Sequence, residues 1–269
     1  MILKETYGLL KSKYKALTES LIITDVRLGV YLSAVKLSDN SVGVASTQAS
    51  EQHFCVKANR DFGDFSPLKV TGQRVSDLFA TSKSSAILDT LKIAVLNAMS
   101  AQMQNSSGYK ILENTDPIDL IDLSRHRTIT VVGGFQSYIQ KIAATKNKLF
   151  VLEMNENALS EDQKQFYVPA GEYNKIIPVS DVVIITGLTL VNNTIDDLLS
   201  CVSPGTQVIV TGPSSSIIPD VLFKNKVSII GATRITDPDL LFSIVSQAGA
   251  GFHLFKYCAQ KICILNEQE

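Results

Sequence analysis

Residues 181–212, DVVIITGLTLVNNTIDDLLSCVSPGTQVIVTG, decide the fold class. Two apolar, β-branched runs, Val182–Thr186 and Gln207–Thr211, flank a helical stretch at Thr194–Ser200, and each run ends on a glycine. Strands that read as unbroken apolar runs are covered on both faces, and a helical crossover lets neighbouring strands lie parallel. The alternation extends outward. Thr128–Val132 and Leu149–Leu152 precede it, and Val227–Ile230 follows. Helical stripes occupy Phe135–Ala144 and the segment after Asp237-Pro238, where Leu240, Leu241, Ile244 and Val245 are predicted inward and Gly249 lies past the end. This predicts an α/β unit built on a doubly wound parallel sheet.

The first hundred residues follow another pattern. Leu3, Tyr7, Leu10, Tyr14, Leu17 and Leu21 recur at helical spacing and predict an opening amphipathic helix. Val26, Leu28, Val30, Leu32 and Ala34 alternate with Arg27, Gly29, Tyr31 and Ser33, which predicts one half-buried strand. Ser38-Asp39-Asn40-Ser41 is turn chemistry, and Val42–Ser46 returns as the second arm of a hairpin. A long helix is predicted over Ser84–Gln102, with Leu88, Leu91, Val95, Ala98 and Met99 on one face. The polar run Gln102–Ser107 and then Gly108 break it, and Asp116-Pro117 has the form of an N-cap followed by Pro at the first helical position. The change of period predicts two domains, an α+β unit over 1–112 and the doubly wound unit over 113–269.

The 269 residues carry Lys+Arg 25 against Asp+Glu 26, a formal net charge of −1. That balance gives no electrostatic support for nucleic acid or an anionic membrane as partner. No apolar run approaches the ~20 residues of a membrane helix. The lysine-studded start, MILKETYGLLKSKYK, lacks the apolar block of a secretory signal, so cytoplasmic residence is the expectation. The scattered cysteines, Cys55, Cys201, Cys258 and Cys263, read as reduced thiols and not as a disulfide framework. A homodimer is expected, as the commonest closed assembly.

Ligands of doubly wound sheets bind beyond the carboxyl ends of the strands. There the sequence places Gly133 and Gly134 after Val132, Gly187 after Thr186, Gly212 after Thr211 and Gly231 after Ile230. Glycine permits close backbone approach and offers N–H donors, although turns after strands use it in any α/β protein. Beside these glycines stand Phe135 and Pro213, and also Thr189, Ser214, Ser215, Ser216 and Thr233, whose hydroxyls can donate or accept; the serine run reads as a clamp for an anion or carboxylate. Glu153 ends its strand with a carboxylate, and Asn193 follows at the mouth of the crevice. Thr194 and Asp237 have the position and type of helix N-caps. Asn97, among apolar neighbours on the long helix, either caps a buried backbone group or faces the domain junction. Together these residues form the predicted ligand-binding set.

The chemistry-bearing motifs are sparse. Gly133-Gly134-Phe135 departs from GxGxxG, yet Glu153, 20 residues after Gly133, stands where a ribose-binding acid would. Neither GxxxxGK[ST] nor a GxSxG elbow is present. His53 and Cys55 would share one face of a strand, but structural zinc takes four ligands and catalytic zinc three from the protein. Cys258 and Cys263 cannot chelate together from one helix, and Cys258 reads as core beside Leu254 and Ile262. Asp116, Asp119 and Asp122 have the spacing of a hard-cation surface and equally that of the solvated face of a short helix.

The run Asp181–Phe223, with SIIGATRITDPDLL (Ser228–Leu241), TVVGGF (Thr130–Phe135) and VLEMN (Val151–Asn155), closely resembles the family described as putative heavy-metal chelation. YLSAVKL, TGQRVSDL and AVLNA (Ala94–Ala98) extend the likeness more loosely to the N-terminal half. The resemblance implies an N-terminal domain similar to that of enolase, a Rossmann-like second domain, and a site where the two meet. It also implies handling of a heavy metal or a metal chelate. The chain shows no dense His/Cys cluster, so a metal ion would arrive already complexed. The expected function is binding or processing of a small polar ligand, a metal chelate among the candidates. Two other readings stay open: a Rossmann-type enzyme using a nicotinamide or S-adenosyl cofactor held through Glu153, and a non-catalytic interaction module.

Overall fold

The computed structural model describes residues 1–14, 19–48, 62–104 and 108–267. Helix α1 (Ile2–Tyr14) leads into strands β1 (Ile23–Leu28), β2 (Leu32–Leu37) and β3 (Val42–Ser46), an antiparallel meander. Helices α2 (Val75–Ala80) and α3 (Ala86–Gln104) follow. The strand expected across Val26–Ala34 is in fact two, because Gly29–Tyr31 form a hairpin tip in which the Gly29 N–H donates to the Leu32 carbonyl at 2.9 Å. Period-two alternation runs straight through so tight a turn and cannot reveal it. Val30 and Tyr31 stand 67% and 58% exposed at the tip, not half-buried in a strand.

Helix α3 lies directly on this sheet. A Cβ at Gly43 of β3 would fall 2.1 Å from the Ala94 carbonyl and 2.3 Å from the Ala98 amide, so only glycine lets the two backbones meet. The face predicted inward (Leu88, Leu91, Val95, Ala98, Met99) is buried, and so are Ile93, Ala94 and Leu96 on its other sides. A helix with apolar residues buried on several sides is a core helix. It sits in one continuous apolar cluster that runs from Leu10 and Val35 through α3 to Val183, Val208 and Ile230 of the second sheet.

That sheet is built from β4 (Lys110–Glu113), β5 (Thr128–Val132), α4 (Gln136–Ala143), β6 (Lys148–Glu153), β7 (Tyr167–Pro169), α5 (Tyr173–Ile176), β8 (Val182–Thr186), α6 (Leu188–Val191), α7 (Ile195–Ser200), β9 (Gln207–Thr211), α8 (Pro219–Lys224), β10 (Ile229–Ile235), α9 (Pro238–Ser246), α10 (Gly251–Tyr257) and β11 (Ala259–Leu265). Its strand order is β4-β11-β10-β9-β8-β5-β6-β7. The strands from β10 to β7 are mutually parallel. Numbered from β5, their order is 3-2-1-4-5-6, the doubly wound order, with its switch point between β5 and β8. Strands β11 and β4 add on antiparallel beyond β10, and β4 spans the expected boundary at residue 112. A second apolar cluster (Ile129, Val131, Ile139, Ile142, Ile184) fills the opposite face. No helix among the described residues is long and apolar enough to cross a membrane.

Candidate functional site

At the strand ends the glycines serve the protein's own packing. Gly133 and Gly212 have φ of 106° and 126°, where a side chain would be strained. Their N–H groups are already given, Gly133 to the Leu152 carbonyl at 2.9 Å and Gly212 to that of Gly231 at 3.3 Å; Gly187 donates to Thr211 at 2.7 Å. A Cβ at Gly187 would fall 2.9 Å from the Ser215 amide, and one at Gly133 would fall 3.0 Å from Thr186 Cγ2. Gly231 does not end its strand. It lies within β10, paired with Thr211 and Cys263, and a Cβ there would meet Thr211 Oγ1 at 2.3 Å and Pro117 Cγ at 2.4 Å. The donor role expected of these glycines is thus taken by neighbouring strands. Gly134 has more room: a methyl group there would lie 3.6 Å from the Ala158 carbonyl and 3.7 Å from Glu153 Oε2, ordinary contact distances.

The serine clamp resolves in the same way. Ser214 and Ser215 are fully buried. Ser215 Oγ lies 2.6 Å from the carbonyls of both Gly212 and Gly231, Ser216 Oγ accepts the Thr233 N–H at 2.9 Å, and Thr189 Oγ1 donates to the Thr186 carbonyl at 2.7 Å. Asp237 caps α9 as expected, accepting the Leu240 N–H at 2.9 Å. Thr194 precedes α7 but makes no side-chain cap; its hydroxyl donates to Asn192 Oδ1 at 2.7 Å. Asn193 is exposed at φ 59° in the turn before it. Glu153 ends β6, where its Oε1 accepts the Met154 and Asn155 N–H groups at 2.8 and 3.2 Å.

Asn97 does both things its sequence context allowed. Its Nδ2 donates to the Val44 carbonyl at 2.7 Å and to the Pro213 carbonyl at 3.1 Å, so one buried amide joins the small sheet, α3 and the turn after β9. The neighbouring contacts continue the pattern. The Ser46 N–H donates to Ser214 Oγ at 2.8 Å, and the Gln48 N–H to Thr90 Oγ1 at 3.3 Å. Strand β3 is the edge of its sheet, and these side chains take up the polar groups along that edge. The Ser100 hydroxyl similarly accepts the Ile218 N–H at 2.8 Å.

A cleft of about 620 Å³ opens beside these turns. It is lined by Thr211–Pro213 and Gly231–Thr233, by Phe135 and Tyr138 at and just inside the start of α4, and by Phe252 and Phe255 of α10. Of the predicted set, Phe135, Gly212, Pro213, Gly231 and Thr233 line it. Sequence reasoning missed Tyr138, Phe252, Phe255, Lys256 and Lys261. It extended one helix across Cys258 to Cys263, whereas α10 ends at Tyr257 and β11 carries Cys263. The signal available was Phe252, Phe255 and Lys256, three and four residues apart on one helical face.

The charges in the cleft are one carboxylate against two ammoniums. Asp116 binds Lys261 at 2.5 Å and the Tyr138 hydroxyl. Desolvation pushes the Asp116 carboxyl up, but the hydrogen bonds from Lys261 and Tyr138, the Lys261 charge and the Ile118 N–H outweigh it and hold the carboxyl below its ordinary range. Burial and Asp116 together push the Tyr138 hydroxyl up, so it stays protonated. Lys256 has no carboxylate partner among the described residues, and its ammonium stands over the rings of Phe252 and Tyr257 at 5.9 and 4.9 Å.

The described side chains do not suit a bare metal ion. No group of three or more His, Cys, Asp or Glu residues gathers among them. Asp116, Asp119 and Asp122 each face their own cation, Lys261, Lys141 and Arg125 respectively, around a short turn at Pro117–Leu120. Burial pushes the thiols of Cys258 and Cys263 up to about 11 and about 12, far from the thiolate that binds metal. His53 and Cys55 lie outside the described residues.

Comparison with known proteins agrees with this architecture. Two family models, both described as putative heavy-metal chelation, match residues 12–100 and 116–264. An uncharacterized protein of Methanocaldococcus jannaschii is 24% identical over 250 residues, covering 90% of each chain. Two crystal structures of proteins of unknown function share the fold. One, from Pyrococcus horikoshii, has a TM-score of 0.78 at 20% identity over 99% of this chain and 100% of that one. The other, from Desulfitobacterium hafniense, has a TM-score of 0.74 at 19% identity over 96% and 100%. This chain belongs to the family described as putative heavy-metal chelation.

Proposed function

We propose that the protein binds a small anionic molecule with a flat or apolar portion in the strand-end cleft, and that metal chelates fall within this class. The observation that carries the reading is the lining itself. Four aromatic side chains, Phe135, Tyr138, Phe252 and Phe255, line the cleft, and Lys256 offers an ammonium that no described carboxylate neutralises. Rings supply apolar and edge contacts, and the ammonium supplies charge-assisted hydrogen bonds to a carboxylate. A metal held by such a molecule needs few ligands from the chain, which accords with the side chains present.

Calorimetric titration with pyridine-2,6-dicarboxylate, with its dianionic 2:1 complex of nickel(II), and with nickel chloride tests this. Binding of the organic anion or its complex is expected, and Lys256→Met should weaken it about tenfold, the equivalent of ~1.4 kcal/mol. Binding of nickel chloride alone, or indifference to Lys256→Met, would refute it.

One observation favours a second reading. Glu153 ends strand 2 of the 3-2-1-4-5-6 order beside the Gly133-Gly134 turn, the place of a ribose-binding acid. If a nicotinamide or S-adenosyl cofactor binds there, Glu153→Ala abolishes its affinity; no binding by wild type removes this reading.

A further inference from the structure

Strand β1 is an edge of the three-stranded sheet, and an open edge is a template for another strand. The chain covers the start of this edge itself. The Val75 N–H donates to the Leu21 carbonyl at 2.9 Å, the Ile23 N–H to that of Gln73 at 3.0 Å, and the Gly72 N–H to that of Ile23 at 2.8 Å. Beyond the bulge that follows Ile23, β2 is the only described ladder partner of β1. The hairpin fixes which groups face outward there. The Gly29 N–H donates to the Leu32 carbonyl, so these two form a hydrogen-bonded pair. Alternation along an antiparallel ladder then leaves the pairs Leu28–Ser33 and Val26–Val35 without mutual hydrogen bonds, and the backbone groups of Val26 and Leu28 point away from β2. One face of this stretch is apolar: Val26 and Leu28 line a groove of about 230 Å³ with Phe65, Leu68 and Val70, and Leu68 is fully exposed. An uncovered edge beside such a surface invites pairing.

Both outward groups of Val26 are already taken, by its own neighbours in the strand. Asp25 Oδ1 accepts the Val26 N–H at 2.8 Å, Arg27 Nη1 donates to the Val26 carbonyl at 2.9 Å, and the same Arg27 nitrogen binds Asp25 Oδ1. The Arg27 guanidinium also stands 5.6 Å from the centre of the Phe242 ring on α9, which helps to hold it over the edge. A strand arriving at Val26 would have to break two hydrogen bonds and an ion pair before forming its own.

We propose that the Asp25–Arg27 pair is a guard that closes the β1 edge against strand addition by a second copy of this chain. A copy related by a two-fold axis through Val26 would set Val26 opposite Val26 and exchange the two bonds that the guard now occupies, a self-complementary contact. Sedimentation velocity over a concentration series tests this on three full-length chains: wild type, Asp25→Ala with Arg27→Ala, and that double variant with Val26→Pro added. The double variant removes one charge of each sign, so net charge does not change. Proline at Val26 takes away the outward donor and costs no bond to β2. The double variant should self-associate with a dissociation constant at least tenfold below that of wild type, and Val26→Pro should return it to wild-type behaviour. A double variant that associates no more tightly than wild type would overturn the proposal. So would association that survives Val26→Pro, since it would run through some other surface or through misfolding.

Discussion

Replacing Asn97 by Leu removes the amide that ties the small sheet to the turn after β9. The side chain is 3% exposed and donates to the carbonyls of Val44 and Pro213 at 2.7 and 3.1 Å. Leucine has similar bulk, so the change acts chiefly through those two acceptors. Each buried acceptor left unpaired costs about 1–3 kcal/mol, and removing the unpartnered Oδ1 returns one penalty of the same size. Two penalties less the one returned leave a net destabilisation of about 1–3 kcal/mol. At about 2–4 °C per kcal/mol for a domain of this size, Tm should fall by roughly 2–12 °C. Urea and thermal denaturation followed by circular dichroism measure it. Asn97→Asp is the control, because a carboxylate cannot donate to either carbonyl and should be at least as damaging. A Leu variant within about 0.5 kcal/mol of wild type, or an Asp variant indistinguishable from it, would refute the reasoning.

Gly231→Ala pushes a methyl into Thr211 Oγ1 and Pro117 Cγ, both under 2.5 Å away, so a loss on the order of 3 kcal/mol in urea denaturation is expected. Asp116→Asn should destabilise by about 1–3 kcal/mol at pH 7, since hydrogen bonds to a charged group are lost. The folded carboxyl lies below its ordinary range, so its contribution is present above the unfolded value of about 3.9 and is lost as pH falls through the folded one; the gap between wild type and variant should close on acidification. Among the described cysteines, iodoacetamide at pH 8 should label Cys201 and spare the buried Cys258 and Cys263, which peptide mapping would show.

Much of the fold could be read from residue patterns. The β-branched runs of the second half all fall on strands of one sheet, the last of them, Val227–Ile230, meeting β10 only at Ile229 and Ile230, and the inward face of α3 is buried as its spacing demands. The failures have physical causes. The tip at Gly29–Tyr31 preserves the alternation of the strands it joins. Gly231 looks like a strand end, but its missing side chain is required by the packing of Thr211 and Pro117 across the ladder. The site was less legible. Ser214, Ser215 and Ser216 are oxygen-rich in sequence, yet burial commits their hydroxyls to backbone groups of β3, β10 and their own turn, a fact only tertiary contact can reveal. The aromatic and lysine wall of α10 lies on a segment whose helix was extrapolated too far, and Asp116 reads as one of a row of acids until Lys261 and Tyr138 are seen to hold it.

The central claim is that the strand-end cleft takes a small organic anion and that any metal enters with it. Anomalous diffraction at the nickel edge, from crystals soaked in the pyridine-2,6-dicarboxylate complex of nickel(II), places the metal directly. The expected result is a nickel peak inside the cleft between Phe135 and Phe255, with a ligand carboxylate at Lys256 and no protein atom in the metal's inner coordination sphere. A nickel peak coordinated by protein side chains, at Asp116–Asp122, at a cysteine or at His53, would contradict it.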